Sequence, residues 1–138
     1  MTHNFYKTCL ISRYILLFVL ISLPLASWAD GVRREYRAVW LTTYLNLDWP
    51  STPASSTQGA EAQKAELCEM LDSLSNIGIN TVFVQARMRS TTSYRSAYEP
   101  WDEAFTGTPG KSPLYDPLGF AVQECHKRGM ECHAWVVV

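Results

Sequence analysis

The residues of this 138-residue sequence that are best suited to chemistry lie near the ends of apolar runs. Gln85 and Arg87 close the run VFVQAR, and His133 and Trp135 lie in the run HAWVVV. If both runs are strands, side-chain alternation puts each pair on one face of its strand. Amide, guanidinium and imidazole groups hydrogen-bond to ligand oxygens, and an indole face packs on apolar C–H groups. These residue types predict a cleft for a ligand that is polar at its edges and apolar on its faces.

Four tryptophans between residues 30 and 138 add aromatic surface, namely Trp40, Trp49, Trp101 and Trp135. Several of them fall at predicted strand ends or in the loops beyond. Indole rings stack on the C–H faces of sugars, while charged and amide side chains bind the hydroxyl groups. The combination favours a glycan cleft. Core and loop packing is the alternative, and it accounts for one or two of the four.

Carboxylates are the groups that a glycan-cleaving site needs most. Such a site uses two of them, about 5–5.5 Å apart for retention or about 6.5–9.5 Å apart for inversion. The sequence offers Asp48, Glu99, Asp102 and Glu103, but its spacing sets no pair of them against each other. Catalytic residues are therefore not identified. The predicted substrate-binding residues are Asp48, Trp49, Gln85, Arg87, Glu99, Trp101, His133 and Trp135.

Two of these residues have a structural alternative. Arg87 could form an ion pair with Glu99 or Asp102 instead of facing a ligand. His133 could be a hydrogen-bonded core histidine, although Trp135 on the same predicted face favours the cleft.

No metal or cofactor is predicted. The sequence has no GxSxG, HExxH or Walker motif, and His126 and His133 stand seven apart on different predicted elements.

Three strands are expected in the part of the chain that carries these residues. They cover about Arg37–Thr42, Ile79–Ala86 and Met130–Val138, which are rich in β-branched and aromatic residues. The nearly continuous apolar core of the second strand is typical of a parallel strand that is buried on both faces.

Two helices connect the strands. Residues 60–77 place apolar side chains at helical spacing, and Gly78 follows where a left-handed residue commonly ends a helix. Asp116-Pro117 begins the second helix with a good N-cap and an N1 proline, and Gly129 ends it. The segment 87–115 between them shows neither strand nor helix periodicity, and its aromatic residues argue against disorder.

Strand and helix alternation defines an α/β fold with a parallel sheet. An open doubly wound sheet and a (β/α)8 TIM barrel both fit. The turn after the first strand has none of the glycines of a dinucleotide-binding turn, which favours the barrel. A full barrel takes about 200–250 residues, so the sequence is expected to hold its first three strands and two helices.

The N-terminal segment is predicted to be a secretory signal peptide spanning residues 1–29. Lys7 and Arg13 precede twelve uncharged residues, 14–25, and Ser27 and Ala29 stand at the −3 and −1 positions of a cleavage site. An uncleaved anchor is the alternative, although the run is short for a bilayer span. Residues 30–138 would then be the mature chain, exported to the periplasm or beyond the cell without stable membrane insertion.

Charge and cysteine content limit the partners further. The net charge of −1 gives no basic footprint for nucleic acid. After residue 29 the chain keeps Cys68, Cys125 and Cys132. Buried free thiols are favoured over a disulfide, because Cys68 and Cys125 fall on apolar helix faces.

Several segments in combination resemble the glycosyl-hydrolase-like family 10 proteins. They are REYRAVWLTTYLNLDWPS, VFVQAR, and the stretch from YRSAYEPWDEAF to YDPLGFAVQECHKRGMECHAW. The resemblance runs from about Arg34 to Trp135. It implies an exported bacterial (β/α)8 barrel of glycosidase type, acting on polysaccharide or peptidoglycan-type cell-wall glycan. It also implies that Asp48, Gln85, Arg87 and His133 face the cleft.

The family pattern also sets the limits of this expectation. Ala38 replaces a usual glycine, Met88 a usual proline, and Val137-Val138 an Asn-Pro pair. In such barrels the acid/base carboxylates belong to later strands, so they are expected beyond Val138. The predicted function is a glycoside hydrolase. The alternatives are a non-catalytic glycan-binding barrel, or a fragment that is inactive by itself.

Overall fold

A computed structural model describes residues 35–138, so the predicted signal peptide and its cleavage site lie outside the described residues. The described chain is a mixed α/β unit in which helices pack on one face of a small sheet. Its strands are β1 (Ala38–Leu41), β2 (Thr81–Met88), β3 (Thr91–Thr92) and β4 (Glu131–Val136). Its helices are α1 (Thr57–Asn76), α2 (Glu103–Thr106) and α3 (Pro117–Lys127), with a 3-10 turn at Tyr44–Asn46.

The sheet is parallel where the sequence predicts it to be. β2 lies between β1 and β4 and is parallel to both, while the short β3 runs antiparallel to the last two residues of β2. Helix α1 joins β1 to β2, and α3 precedes β4, so the three predicted strands and two predicted helices are confirmed.

Helix ends follow local chemistry. The Ser56 hydroxyl accepts a hydrogen bond from the Gly59 N–H, so α1 starts at Thr57, three residues before the predicted start at residue 60. The Asp116 carboxylate caps α3 in the same way, accepting from the Gly119 N–H with Pro117 in the first turn. Gly78 and Gly129 follow the two helices with φ of 85° and 68°, as expected for residues that end helices in the left-handed region.

The segment 87–115 is more ordered than its sequence pattern indicates. It contains β3 and α2, and Thr92 forms a bridge with Trp101. The Asp102 carboxylate caps α2 by accepting from the Ala104 N–H. Sequence periodicity missed both elements because a two-residue strand and a four-residue helix are too short to repeat a pattern.

The core lies between the sheet and the two long helices. Val82 and Val84 on β2 are buried against Leu67 and Leu71 of α1. Ala121 and Cys125 of α3 complete the same cluster. The predicted register, with the valines toward the helices, is therefore confirmed.

The opposite face of the sheet is aromatic. Trp40, Phe83 and His133 are register partners across β1, β2 and β4, and Trp135 is paired with Gln85 one step further along. The Trp40 and Phe83 rings stack with centroids 4.6 Å apart, and Trp135 meets Trp40 edge-on at 5.0 Å. Within the described chain, no helix of residues 35–138 is both long and apolar enough to cross a bilayer.

Candidate functional site

Gln85 joins the C-terminal ends of β1 and β2. Its side chain is buried, and Oε1 accepts hydrogen bonds from the Thr42 hydroxyl at 2.7 Å and from the Thr43 N–H at 2.9 Å. The Thr43 hydroxyl donates to the same oxygen at 3.2 Å. Because three donors already converge on this oxygen, Gln85 fixes the turn after β1 and has no exposed surface for a ligand.

Asp48 supports the same turn. Its Oδ2 accepts a hydrogen bond from the Thr42 N–H at 2.9 Å. The residue is only partly buried. In the described chain Asp48 holds the turn after β1, and its contact with a ligand stays a prediction.

The Arg87 guanidinium is held by two protein groups, the Glu99 carboxylate and the Val137 carbonyl oxygen. Its Nε donates to Oε1 and Oε2 of Glu99 at 3.0 and 2.7 Å, and its Nη1 donates to the Val137 carbonyl oxygen at 2.6 Å. This is the ion pair with Glu99 that the sequence leaves open as an alternative. The hydrogen bonds to Arg87 hold the pKa of the Glu99 carboxyl below its usual value, so Glu99 stays charged.

Asp102 and Trp101 lie in the segment that returns past β3. Besides capping α2, the Asp102 carboxylate accepts the Thr91 hydroxyl at 2.6 Å. Trp101 is half-buried, and its backbone carbonyl oxygen accepts from the Gly110 N–H. Both residues hold the loop together beside the strand ends.

Trp49 lies in the core and is removed from any ligand surface. It is 0% exposed, its indole N–H donates to the Gln63 carbonyl oxygen at 2.8 Å, and its ring meets Phe105 edge-on. The proposed contact between Trp49 and a ligand is corrected on this ground. The core alternative given for the tryptophans applies to this residue.

His133 and Trp135 are on the aromatic face of the sheet. The His133 ring is half-exposed and its Nε2 lies 2.9 Å from Oε2 of Glu131, two residues earlier on the same strand. Trp135 is partly buried against Trp40. Register therefore brings Trp135 beside Gln85, whereas His133 lies one layer nearer the start of the strands.

A cavity of about 440 Å³ opens beyond the strand ends. Three segments wall it, namely the turn after β1, the turn between β2 and β3, and the region around α2. Its wall includes Tyr44, Met88, Arg89 and Glu103, of which sequence analysis considered only Met88 and Glu103. The sequence does not indicate that Tyr44 and Arg89 line one cavity, because they lie 45 residues apart on separate turns and only the fold brings them together.

The described residues show no grouping suited to a metal ion. Within residues 35–138, no three His, Cys, Asp or Glu side chains gather as ligands would. Cys68, Cys125 and Cys132 carry free thiols. Cys125 is fully buried, and the neighbouring Cys132 thiol together with desolvation raises the pKa of the Cys125 thiol.

Comparison with known proteins gives one family. The family model "Glycosyl hydrolase-like 10" matches residues 35–138. The chain is 45% identical over 126 residues to the glycosyl hydrolase YngK of Bacillus subtilis (strain 168). The matched region covers 91% of this chain and 24% of YngK. It is 44% identical over 105 residues to the glycosyl hydrolase DigH of Escherichia coli (strain K12). This matched region covers 72% of the chain and 24% of DigH.

The chain belongs to the glycosyl hydrolase-like 10 family. The resemblance that its motifs indicate is therefore confirmed. The chain spans about a quarter of the length of these curated relatives.

Proposed function

We propose that the protein is an exported glycoside hydrolase that acts on a polysaccharide or cell-wall glycan. The observation that carries this proposal is the family match over residues 35–138, together with relatives that are named glycosyl hydrolases. In this proposal residues 35–138 form part of the substrate-binding end of the protein.

The loops support the proposal by their position. In α/β folds, ligands bind at the carboxyl ends of parallel strands. Here the segments 42–50 and 89–110 follow β1 and β2, so they lie at that end of the sheet. Hydrogen bonds from Gln85, Asp48 and Asp102 hold these segments in place, as a preformed binding surface requires.

The proposed architecture is a (β/α)8 barrel. Three features favour it: neighbouring strands follow chain order, both long helices lie on one face, and the other face carries residues in register layers. The Trp40–Phe83–His133 row would form one layer inside the barrel. A charged residue should then be intolerable there, so Trp40→Lys should abolish soluble expression, while Tyr36→Lys, on an exposed neighbouring residue, should not.

The catalytic carboxylates belong, in this proposal, to another part of the protein. Asp48, Glu99 and Asp102 are each engaged by protein donors that fix a loop. A general acid or a nucleophile must instead reach the glycosidic bond. Residues 35–138 therefore contribute binding and positioning.

Export is the remaining element of the proposal. It rests on the basic residues, apolar run and small-residue pair within residues 1–29. Mass spectrometry of the protein secreted from its native host should find Asp30 as the first residue. Recovery of a membrane-bound form that begins at Met1 would contradict export with cleavage.

The activity is tested on the protein produced from its own gene. Purified peptidoglycan glycan strands and a set of neutral and acidic polysaccharides are incubated with it, and new reducing ends are measured. We expect new reducing ends from at least one glycan. Binding without any product would favour the non-catalytic glycan-binding alternative, and the absence of both binding and product would refute the proposal.

A further inference from the structure

The cavity beyond the strand ends is bordered by two turns of unusual backbone. Leu45 and Asn46 have φ of 53° and 54°, and Arg89 and Ser90 have φ of 50° and 58°. These four are the residues other than glycine with positive φ in the part of the chain that the structure describes. Leu45, Asn46 and Arg89 line the cavity. Such backbone is disfavoured for L-residues, so surrounding contacts must hold it.

Specific hydrogen bonds provide those contacts. The Asn46 side-chain amide donates to the Pro50 and Ala104 carbonyl oxygens at 2.6 and 2.9 Å. The Thr91 Oγ1 lies 2.7 Å from the Met88 carbonyl oxygen and 2.6 Å from Asp102 Oδ2, so its single proton is shared between these two acceptors and holds the second turn. Each of the two turns is thereby fixed at the border of the cavity.

Arg89 is presented at this cavity without a carboxylate partner. Its guanidinium lies 5.8 Å from the centroid of the Tyr44 ring, a cation–π arrangement. No carboxylate of residues 35–138 lies within ion-pair distance of it. Arg87 and Arg128, by contrast, are both paired with carboxylates.

The other charged groups of the cavity do not satisfy Arg89. Asp102 is buried, and its two oxygens accept from the Thr91 hydroxyl and the Ala104 N–H. Glu103 is exposed on the α2 wall and forms no ion pair with a described residue. The cavity therefore offers a cation on one wall and an acceptor on another, with apolar surface from Leu45 and Met88 between its polar groups.

We infer that this cavity binds a sugar residue that carries a carboxylate, and that Arg89 is the specificity-determining contact. The planar guanidinium can pair with a carboxylate through two parallel hydrogen bonds. Leu45 and Met88 offer surface to the C–H face of the sugar, and Glu103 can accept from its hydroxyl groups. This inference rests on the proposed function and deepens it by naming the class of glycan.

Two sugars present the same chemistry. One is a uronic acid, and the other is a hexosamine bearing a carboxyalkyl ether. The experiment uses the protein produced from its own gene and measures affinity by calorimetry. The probes are oligogalacturonate and muramic-acid-containing glycan oligosaccharides, each with its carboxyl-reduced counterpart.

Arg89→Gln is compared with the matched control Arg95→Gln, which removes another exposed arginine from outside the cavity. We expect the wild-type protein to prefer at least one carboxylated probe to its reduced form. Arg89→Gln should weaken that binding by about tenfold or more and leave the reduced form within about twofold. Arg95→Gln should change neither. Arg89→Asn, whose side chain suits a left-handed backbone, provides a second variant if the first fails to fold.

The outcomes separate this inference from the proposed function. Equal loss of both probe forms in Arg89→Gln, no loss at all, or no preference for the carboxylated form would overturn the role of Arg89. Binding or cleavage of neutral glycans alone would overturn the inference and leave the proposed function intact. If no glycan binds, both fail. The preferred probe identifies which of the two acidic sugars is recognised.

Discussion

The guanidinium of Arg87 closes on the carboxylate of Glu99, with Nε 2.7 Å from Oε2, and its Nη1 reaches the Val137 carbonyl oxygen. The Val137 N–H in turn donates to the Arg87 carbonyl oxygen at 2.9 Å. Arg87 thus connects β2 with the loop at Glu99 and with the residue that follows β4. Its role in the described chain is to position these segments.

Replacing either partner of this pair should loosen both segments. We expect Arg87→Gln and Glu99→Gln to lower the melting temperature by similar amounts, and the double variant to lower it little more than either one, because the pair acts as a unit. Thermal unfolding of the three variants measures this. Arg95→Gln is the matched control for removal of one exposed cation. Additive losses would contradict the coupling.

The pair should also respond to acid. Interaction with Arg87 lowers the pKa of the Glu99 carboxyl in the folded state. A carboxyl with a lowered pKa stabilises the fold fully above its unfolded pKa and loses that contribution as pH falls through its folded pKa. The melting-temperature difference between wild type and Glu99→Gln should therefore shrink as pH falls below the ordinary range for a glutamate.

Gln85 should matter for the turn after β1 more than for any direct ligand contact. Gln85→Ala removes the acceptor of the buried Thr43 N–H and hydroxyl, at a cost of about 1–3 kcal/mol for each group left unpaired. Chemical denaturation measures the loss, with Gln123→Ala on the exposed side of α3 as control. Hydrogen exchange should accelerate at the Thr43 amide beyond the change in global stability. An unchanged Thr43 exchange rate would contradict this role.

The parts of the fold that the sequence predicts are those that repeat a physical pattern. Val82 and Val84 alternate with Phe83, so the helix-facing side of β2 follows from parity alone. Gly78 and Gly129 mark helix ends because their lack of a Cβ permits positive φ. The family also follows from the motifs, since their order along the chain is specific.

The site is less predictable because it depends on contacts between distant residues. The residues next to Trp49 in the sequence do not indicate that its indole N–H will donate to the carbonyl oxygen of Gln63, fourteen residues later on α1. The sequence allowed an ion pair of Arg87 with either Glu99 or Asp102, and only the tertiary structure selects Glu99. The positive φ values at Leu45 and Arg89 have no signal in residue type, because neither residue favours that region.

Trp49 should behave as a core residue. Trp49→Ala should destabilise the protein by about 3–5 kcal/mol, because it empties a fully buried volume against Phe105. Trp49→Phe should cost less, because a smaller aromatic ring still fills part of that volume, although the hydrogen bond to the Gln63 carbonyl oxygen is lost. Tyr98→Ala is the control, because Tyr98 is 95% exposed and its loss should stay within about 0.5 kcal/mol. Denaturant unfolding gives these values. A Trp49→Phe variant that is stable but has lost glycan affinity would restore Trp49 to the ligand site.

Glu124 on α3 provides the sharpest test of pH dependence. It is buried, and its oxygens accept from Lys127 Nζ at 2.5 Å and Arg128 Nη1 at 2.8 Å. Arg128 also pairs with Asp72 on α1, so the cluster joins the two long helices. Hydrogen bonds from Lys127 and Arg128 lower the pKa of Glu124 from 4.5 to about 2. The folded state therefore holds Glu124 charged at pH values where the unfolded chain would protonate it.

The sign of the effect follows from linkage. The contribution of Glu124 is complete above about pH 4.5 and is lost between that value and about pH 2. Glu124→Gln should therefore destabilise the protein by about 1–3 kcal/mol at pH 7, and its difference from wild type should fall toward zero near pH 2. Urea unfolding at pH 7, 4 and 2.5 measures it, with Glu69→Gln on the exposed side of α1 as the matched control. The Glu124→Gln variant should itself still lose some stability in acid, because Arg128 lowers the pKa of Asp72 as well. A difference between Glu124→Gln and wild type that stays constant from pH 7 to pH 2.5 would show that Glu124 contributes through packing, with no contribution from its charge.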